Sequence, residues 1–200
     1  MAWLLAPLLA PLLPASPPLA ADDPPAPDVI ISELMASNTT TLYDEDGAAS
    51  DWIELWNRSP FDADLTGWHL SDSGATWTVP ALIVPSNGRI VLFASDKAAI
   101  YPLHTNFKLS AGGEYLGLTD AANTVIDAYS PKFPAQTSDV AYGLGNNDVY
   151  GYLATPTPGE PNAVAGSARK CSRRHAWGAT GHAQTIGTTL RGRVIKPRRT

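Results

Sequence analysis

Short strand-like runs separated by turn signals recur along residues 29–154, and this pattern most constrains the fold. The runs are rich in β-branched and aromatic residues, and turn-forming pairs such as Asn87-Gly88 and Gly112-Gly113 stand between them. No run shows a helical period long enough to connect parallel strands. Together with eighteen prolines and sixteen glycines, the pattern predicts an all-β antiparallel sandwich. The runs lie at residues 29–34, 52–56, 65–70, 76–79, 89–94, 115–118, 124–129 and 139–142, with a further one at 150–154.

The alternation of apolar and polar residues within these runs predicts which side chains face the core. The strands also carry Trp52, Trp56 and Trp77, for which packing in the core or at its rim is expected rather than an exposed carbohydrate platform. The residues expected to face inward are Ile53, Leu55, Trp68, Leu70, Val91, Phe93, Leu116, Leu118 and Ile126.

An apolar segment at residues 2–13 opens the chain and is too short to span a bilayer. It is typical of the core of a signal peptide, so residues 1–21 are predicted to be one, with cleavage after Ala21 and a secreted or cell-surface protein as the product. No Lys or Arg precedes the apolar run and prolines interrupt it, which leaves a disordered cytosolic leader or a misassigned start as alternatives. Residues 22–27, DDPPAP, are predicted to form a stiff linker.

The charge of the chain is divided sharply between its two ends. All nineteen acidic residues lie at or before Glu160, whereas nine of the fourteen Lys and Arg residues lie within residues 166–200. Residues 163–200 are therefore predicted to be a disordered basic tail, which is either a frame-shifted gene end or a functional arm. The acidic sandwich would repel nucleic acid, so no nucleic-acid partner is expected.

The polar loop between the first two runs is the candidate metal site. Asp44, Asp46, Ser50 and Asp51 supply oxygen ligands of the kind that calcium prefers, and Gly47 permits a sharp bend. The alternative is a solvated loop in which Asp and Gly serve turn geometry. No other cofactor is expected.

Catalytic motifs are absent from the sequence. It contains no G-x-S-x-G, H-E-x-x-H or P-loop pattern. The single cysteine, Cys171, excludes an internal disulfide, and with His175 and His182 it falls short of the four ligands of a structural zinc site. His104 is expected to bond to the local backbone. The chain is therefore predicted not to be an enzyme.

Six segments, taken in order, resemble the lamin tail domain family as it occurs in bacterial exported proteins. The resemblance covers most of residues 28–162 and implies an immunoglobulin-like β-sandwich without catalytic residues of its own. The segments are VIISELMASN, DEDGAASDWIELWN, DLTGWHLSD, LHTNFKLSAGGEYLGL, PAQTSDVAYG and ATPTPGEPN.

The expected function follows from this resemblance and from the missing catalytic motifs. It is non-catalytic binding, targeting or scaffolding within an exported bacterial protein, with an unknown protein or a surface polymer as the partner. A calcium-dependent adhesion module and an accessory domain of a truncated extracellular hydrolase are the alternatives. No transmembrane helix is expected, and the oligomeric state stays open.

Overall fold

The structure is a computed structural model that describes residues 26–166, which form β strands and no helix. The predicted signal peptide (residues 1–21), most of the predicted linker and residues 167–200 of the predicted tail lie outside these residues. No segment of the described part is a helix of the length and hydropathy that crossing a membrane requires. The strands are β1 (Val29–Met35), β2 (Asp51–Asn57), β3 (Ala63–Asp64), β4 (His69–Ser71), β5 (Thr76–Thr78), β6 (Ile83–Val84), β7 (Arg89–Ala94), β8 (Leu116–Thr119), β9 (Val125–Tyr129), β10 (Ala141–Leu144) and β11 (Tyr150–Leu153).

The strands assemble into two main sheets. One has five strands in the order β11-β10-β1-β2-β7, and the other has four in the order β5-β4-β8-β9. All of these strand pairs are antiparallel, as is the small β3-β6 pair. The predicted all-β antiparallel sandwich is therefore confirmed. Every predicted run overlaps an observed strand, whereas the two-residue strands β3 and β6 are too short to show a period in the sequence.

The main core lies between the two sheets and contains six of the nine residues predicted to be there. Ile53, Leu55, Trp68, Leu70, Leu116 and Leu118 are buried in it, and Ile126 packs against it while remaining partly exposed.

The prediction is wrong for Val91 and Phe93, which lie on the opposite face of β7. Leu92 and Ala94 occupy the core positions instead. Arg89 shares the alternating set of Val91 and Phe93, and its charge marks that set as the outer one, whereas Ile90, Leu92 and Ala94 are all apolar. The pairing of β7 with β2 decides the face, because Leu92 stands opposite the inward-facing Ile53.

The outer face of the five-stranded sheet carries a second apolar cluster. Met35, Trp52, Ala141 and Leu153 are buried there, and Ala165 covers them from the end of the described chain. The fold therefore includes residues 163–166, beyond the boundary predicted at residue 162. Gly166 also pairs with Tyr152, through Tyr152 N to Gly166 O (2.9 Å) and Gly166 N to Tyr152 O (3.1 Å).

Candidate binding surfaces

Asp44 organises the acidic loop from the inside. Its carboxylate accepts hydrogen bonds from the backbone of Asp46 (3.0 Å) and Ala48 (2.9 Å) and from the Ser50 hydroxyl (2.6 Å). The Lys97 ammonium lies 2.8 Å from the same carboxylate. Burial raises the pKa of Asp44, but these bonds, led by the one from Lys97, outweigh it and hold the pKa well below its usual range.

Lys97 also reaches the other side of the loop, where its ammonium lies 2.7 Å from the Asp46 carboxylate. The Tyr101 hydroxyl donates to Asp46 as well. Asp51 stands apart from this group, since its carboxylate accepts the backbone N–H of Asn38 at 3.1 Å. The structure therefore gathers three of the four predicted calcium ligands around one lysine and places the fourth elsewhere.

The donor set as it stands does not fit a calcium ion. The ammonium of Lys97 already occupies the position between the carboxylates of Asp44 and Asp46. Among residues 26–166, no cluster of three or more His, Cys, Asp or Glu side chains is arranged to hold a metal. Calcium binding here would require Lys97 to leave, and the calcium site stays a prediction.

A hydrogen-bonded chain of Ser95, His104 and Glu45 lies beside this loop. His104 Nδ1 is 2.7 Å from Ser95 Oγ, and His104 Nε2 is 2.7 Å from a carboxylate oxygen of Glu45. The expectation that His104 bonds to the local backbone through its side chain is therefore wrong. Ser95 is nine residues from His104 in the sequence and Glu45 is 59 residues away, and no sequence motif marks the three residues.

The three hydrogen-bonded residues Ser95, His104 and Glu45 are of the types found in a catalytic triad, but their solvent exposure is the reverse of that in a triad. Ser95 is only 5% exposed and His104 is fully buried, whereas the Glu45 side chain is 53% exposed. A triad needs an accessible nucleophile and a shielded carboxylate that orients the imidazole. Here a substrate cannot reach the serine hydroxyl, so the arrangement ties the acidic loop to the segment 95–104.

Two buried glutamates bind residues 157–159, near the end of the described part of the chain. Glu33 and Glu54 stand opposite each other on β1 and β2, on the outer face of the sheet, and both are fully buried. Glu33 accepts hydrogen bonds from the backbone N–H (3.1 Å) and the hydroxyl (3.1 Å) of Thr157. Glu54 accepts from Gly159 N (2.8 Å). The carboxylates therefore clamp residues 157–159 onto the sheet.

Arg89 and Ser32 complete the environment of Glu54. Arg89 Nε lies 3.3 Å from the Glu54 carboxylate, and the Ser32 hydroxyl donates to it at 2.5 Å. Burial raises the pKa of Glu54, and it raises the pKa of Glu33 to about 7, with a contribution from the nearby Glu54 charge. With neither carboxylate accessible, the pair cannot serve as the acid and base of a glycosidase.

Arg89 also forms part of an open groove of about 480 Å³ on the outer face. Its guanidinium carbon lies 4.2 Å from the centre of the Trp56 ring, a cation–π contact. The hairpin tip at residues 145–148 and Asn162 form the opposite wall.

Tyrosines fill the inner face of the sheet where it extends past the smaller sheet. Leu34 faces the core, and Tyr142, which pairs with Leu34, and Tyr152, which pairs with Tyr142, share that face. Strand β9 of the smaller sheet packs against β1, so β10 and β11 lie at the edge of the sandwich. Tyr150, on β11, is 44% exposed. Aromatic side chains therefore stand at the open edge of the sandwich.

Two grooves flank Tyr142 and Tyr150, and we call them the tyrosine grooves. The first has a volume of about 460 Å³ and is lined also by Val149 and Tyr152. The second has a volume of about 320 Å³ and is lined also by Tyr129. Pro134 contributes to both. Among the described residues these grooves combine aromatic lining with access from solvent, and no sequence motif marks them.

The model of the lamin tail domain family matches residues 23–132, which is more than half of the chain. No curated protein matches the chain. The matched region contains β1 to β9, and thus the whole four-stranded sheet and three of the strands that pack against it. The immunoglobulin-like fold implied by the sequence resemblance agrees with the two antiparallel sheets described above. The chain therefore belongs to the lamin tail domain family.

Proposed function

We propose that this protein is a non-catalytic binding module that acts at the cell surface or in the extracellular medium, with a protein or a surface polymer as its partner. The observation that carries the proposal is a difference in solvent exposure between the groups of catalytic type and the tyrosine grooves. The groups with catalytic potential, Ser95 with His104 and Glu33 with Glu54, are buried and engaged in structural hydrogen bonds. Among residues 26–166 the tyrosine grooves, in contrast, are open.

The proposed location rests on the sequence. The apolar run at residues 2–13 followed by SPPLAADD is typical of an exported protein. Expression of the full chain in a bacterial host and mass spectrometry of the product test it. A secreted product that begins at Asp22 supports export, whereas an intact N-terminus retained in the cytosol contradicts it.

The absence of catalysis is tested with the full chain against ester, polysaccharide and nucleic-acid substrates. The expected turnover equals that of a boiled control. Turnover above the control that disappears in Ser95→Ala, or in Glu54→Gln with the fold retained by circular dichroism, would show an enzyme and overturn the proposal. The matched control is Ser110→Ala, which alters an exposed serine.

A further inference from the structure

We propose that the tyrosine grooves bind a proline-rich peptide in the extended polyproline II conformation. The proposal deepens the proposed binding function and rests on it. Grooves lined by aromatic side chains are the recurrent means by which proteins recognise this conformation. The ligand enters such grooves already ordered, so little conformational entropy is lost on binding.

The shape of the surface supports this ligand. The rings of Tyr142 and Tyr152 meet at 77°, with centroids 5.4 Å apart, and those of Tyr129 and Tyr150 meet at 89°, with centroids 5.9 Å apart. Rings that meet edge to face divide the surface into slots instead of forming one flat plane. The two grooves share the wall formed by Tyr142 and Tyr150. A flat platform would favour the stacking of a sugar ring, whereas adjacent slots match successive proline rings.

The hydroxyl groups of the tyrosines divide into two kinds. Tyr129 donates to the Ile31 carbonyl at 3.2 Å and Tyr152 to the Ala135 carbonyl at 2.8 Å, so these two rings are fixed by the fold. Within residues 26–166 the hydroxyls of Tyr142 and Tyr150 bond to no other residue. A polyproline II backbone has no internal hydrogen bonds and presents its carbonyl groups to the surroundings. The two available hydroxyls therefore match its acceptors.

The two grooves differ in the charge of their lining. The first groove has no charged residue in its lining, whereas Asp127 and Lys132 line the second. One carboxylate oxygen of Asp127 is held by the backbone N–H of Ile31 at 2.8 Å. We therefore place an uncharged proline pair in the first groove and a charged residue at the second, where Asp127 would attract a cation and Lys132 an anion.

The test is a titration of the ¹⁵N-labelled full chain, followed by NMR, with an oligoproline peptide that ends in arginine and one that ends in glutamate. A glycine–serine peptide of equal length and charge is the ligand control. The proposal expects shifts at Tyr142, Tyr150 and Gly151 with the oligoprolines alone. Tyr150→Ala is expected to weaken binding about tenfold, as truncation of a central aromatic contact does, and Tyr150→Phe less. Tyr43→Ala, which alters an exposed tyrosine in the acidic loop, serves as the matched control and leaves the affinity unchanged.

Equal binding by Tyr150→Ala and the parent chain would overturn the proposal, as would binding of the glycine–serine peptide. The same titration with neutral hexasaccharides of cellulose, xylan and chitin tests the class of ligand independently of the proposed binding function. Saccharide binding at these tyrosines, without oligoproline binding, overturns the peptide proposal and leaves the binding function standing. Turnover in the hydrolysis assays would instead remove the proposed function itself.

Discussion

Glu33 and Glu54 form a pair of buried carboxylates on the outer face of the larger sheet. Their carboxylates face each other across β1 and β2, both without exposure to solvent. Each accepts backbone N–H groups of the segment 157–159, which favours the charged form, but burial dominates and raises both pKa values. Burial of these two carboxylates therefore makes stability depend on pH.

The first prediction concerns this pH dependence. The pKa of Glu33 is raised by burial from its usual 4.5 to about 7. The native state then binds a proton more tightly than the unfolded chain does, so its contribution is complete below about pH 4.5 and is lost as the pH rises through about 7. The corresponding loss in free energy of unfolding is about 3 kcal/mol at most. Urea unfolding of the full chain between pH 4.5 and 8 measures it.

Glu33→Gln provides the variant for this measurement, because glutamine resembles the protonated acid and keeps an acceptor for Thr157. We expect a flatter pH profile and a higher stability than the parent chain at pH 8. Exposed Glu160→Gln is the control and keeps the parent profile. Parallel profiles for Glu33→Gln and the parent chain would contradict the assignment.

The distance between neighbouring strands decides which side chains a strand can hold. On β10 the outer-face position opposite Glu33 is Gly143, and an added Cβ atom would lie 2.1 Å from the Ser32 carbonyl oxygen. That oxygen belongs to the backbone of a central strand at a bulge in the β1–β2 pairing, so it cannot move aside cheaply. Glycine at this position is required for β1 and β10 to approach each other.

The second prediction is that Gly143→Ala separates β10 from β1. Overpacking of this kind costs about 1–3 kcal/mol, and more where the obstacle is backbone. Gly74→Ala is the matched control, because the nearest atom to an added Cβ there is the Asp72 carboxylate at 3.8 Å. Thermal unfolding compares the two variants. An equal melting temperature for Gly143→Ala and the parent chain would refute the close approach.

The third prediction concerns the acidic loop. Because the Lys97 ammonium already lies between Asp44 and Asp46, the melting temperature of the parent chain is expected to be the same in millimolar calcium and in chelator. Lys97→Met should lower the melting temperature, since it leaves the Asp44 carboxylate without its cation, and calcium should then restore part of the loss. Lys132→Met, away from the loop, is the control. A calcium-dependent rise in the parent chain would favour the calcium-binding alternative.

The whole described molecule is a sandwich whose larger sheet is covered on both faces. The smaller sheet covers the inner face, and the segment 155–166 returns along the outer face to reach Ala165 and Gly166. This return explains why the fold extends beyond residue 162. On the inner face, the larger sheet extends past the smaller one at β10 and β11, and there the tyrosines meet solvent.

The fourth prediction follows from the position at which the described fold ends. A chain shortened to residue 166 should match the melting temperature of the full chain, because the tail is predicted from its composition to contribute no packing. Shortening to residue 162 removes two backbone hydrogen bonds to Tyr152 and the burial of Ala165. We expect this to cost about 1–3 kcal/mol. Equal stability of the two shortened chains would contradict the role of residues 163–166.

Local pattern was sufficient for the fold class and for most of the core. Alternation at Ile53 and Leu55 identified an inward face, because one set of positions in β2 contains a glutamate and the other does not. In β7 the charged Arg89 shares a set with Val91 and Phe93, so the same contrast marks Ile90, Leu92 and Ala94 as the inner set. The pairing of Leu92 with the inward-facing Ile53 confirms this face, because register fixes which set of a strand is buried.

The candidate sites depended more strongly on tertiary structure. The sequence by itself determined that Asp44, Asp46 and Ser50 share one loop, since they are neighbours in the chain. Only the tertiary structure brought Lys97 between the two carboxylates, paired Glu33 with Glu54, and buried Ser95 against His104. It also decided that the tyrosines of β10 and β11 face an open edge. Periodicity reports which residues share a face of a strand, whereas exposure depends on which other sheet covers that face.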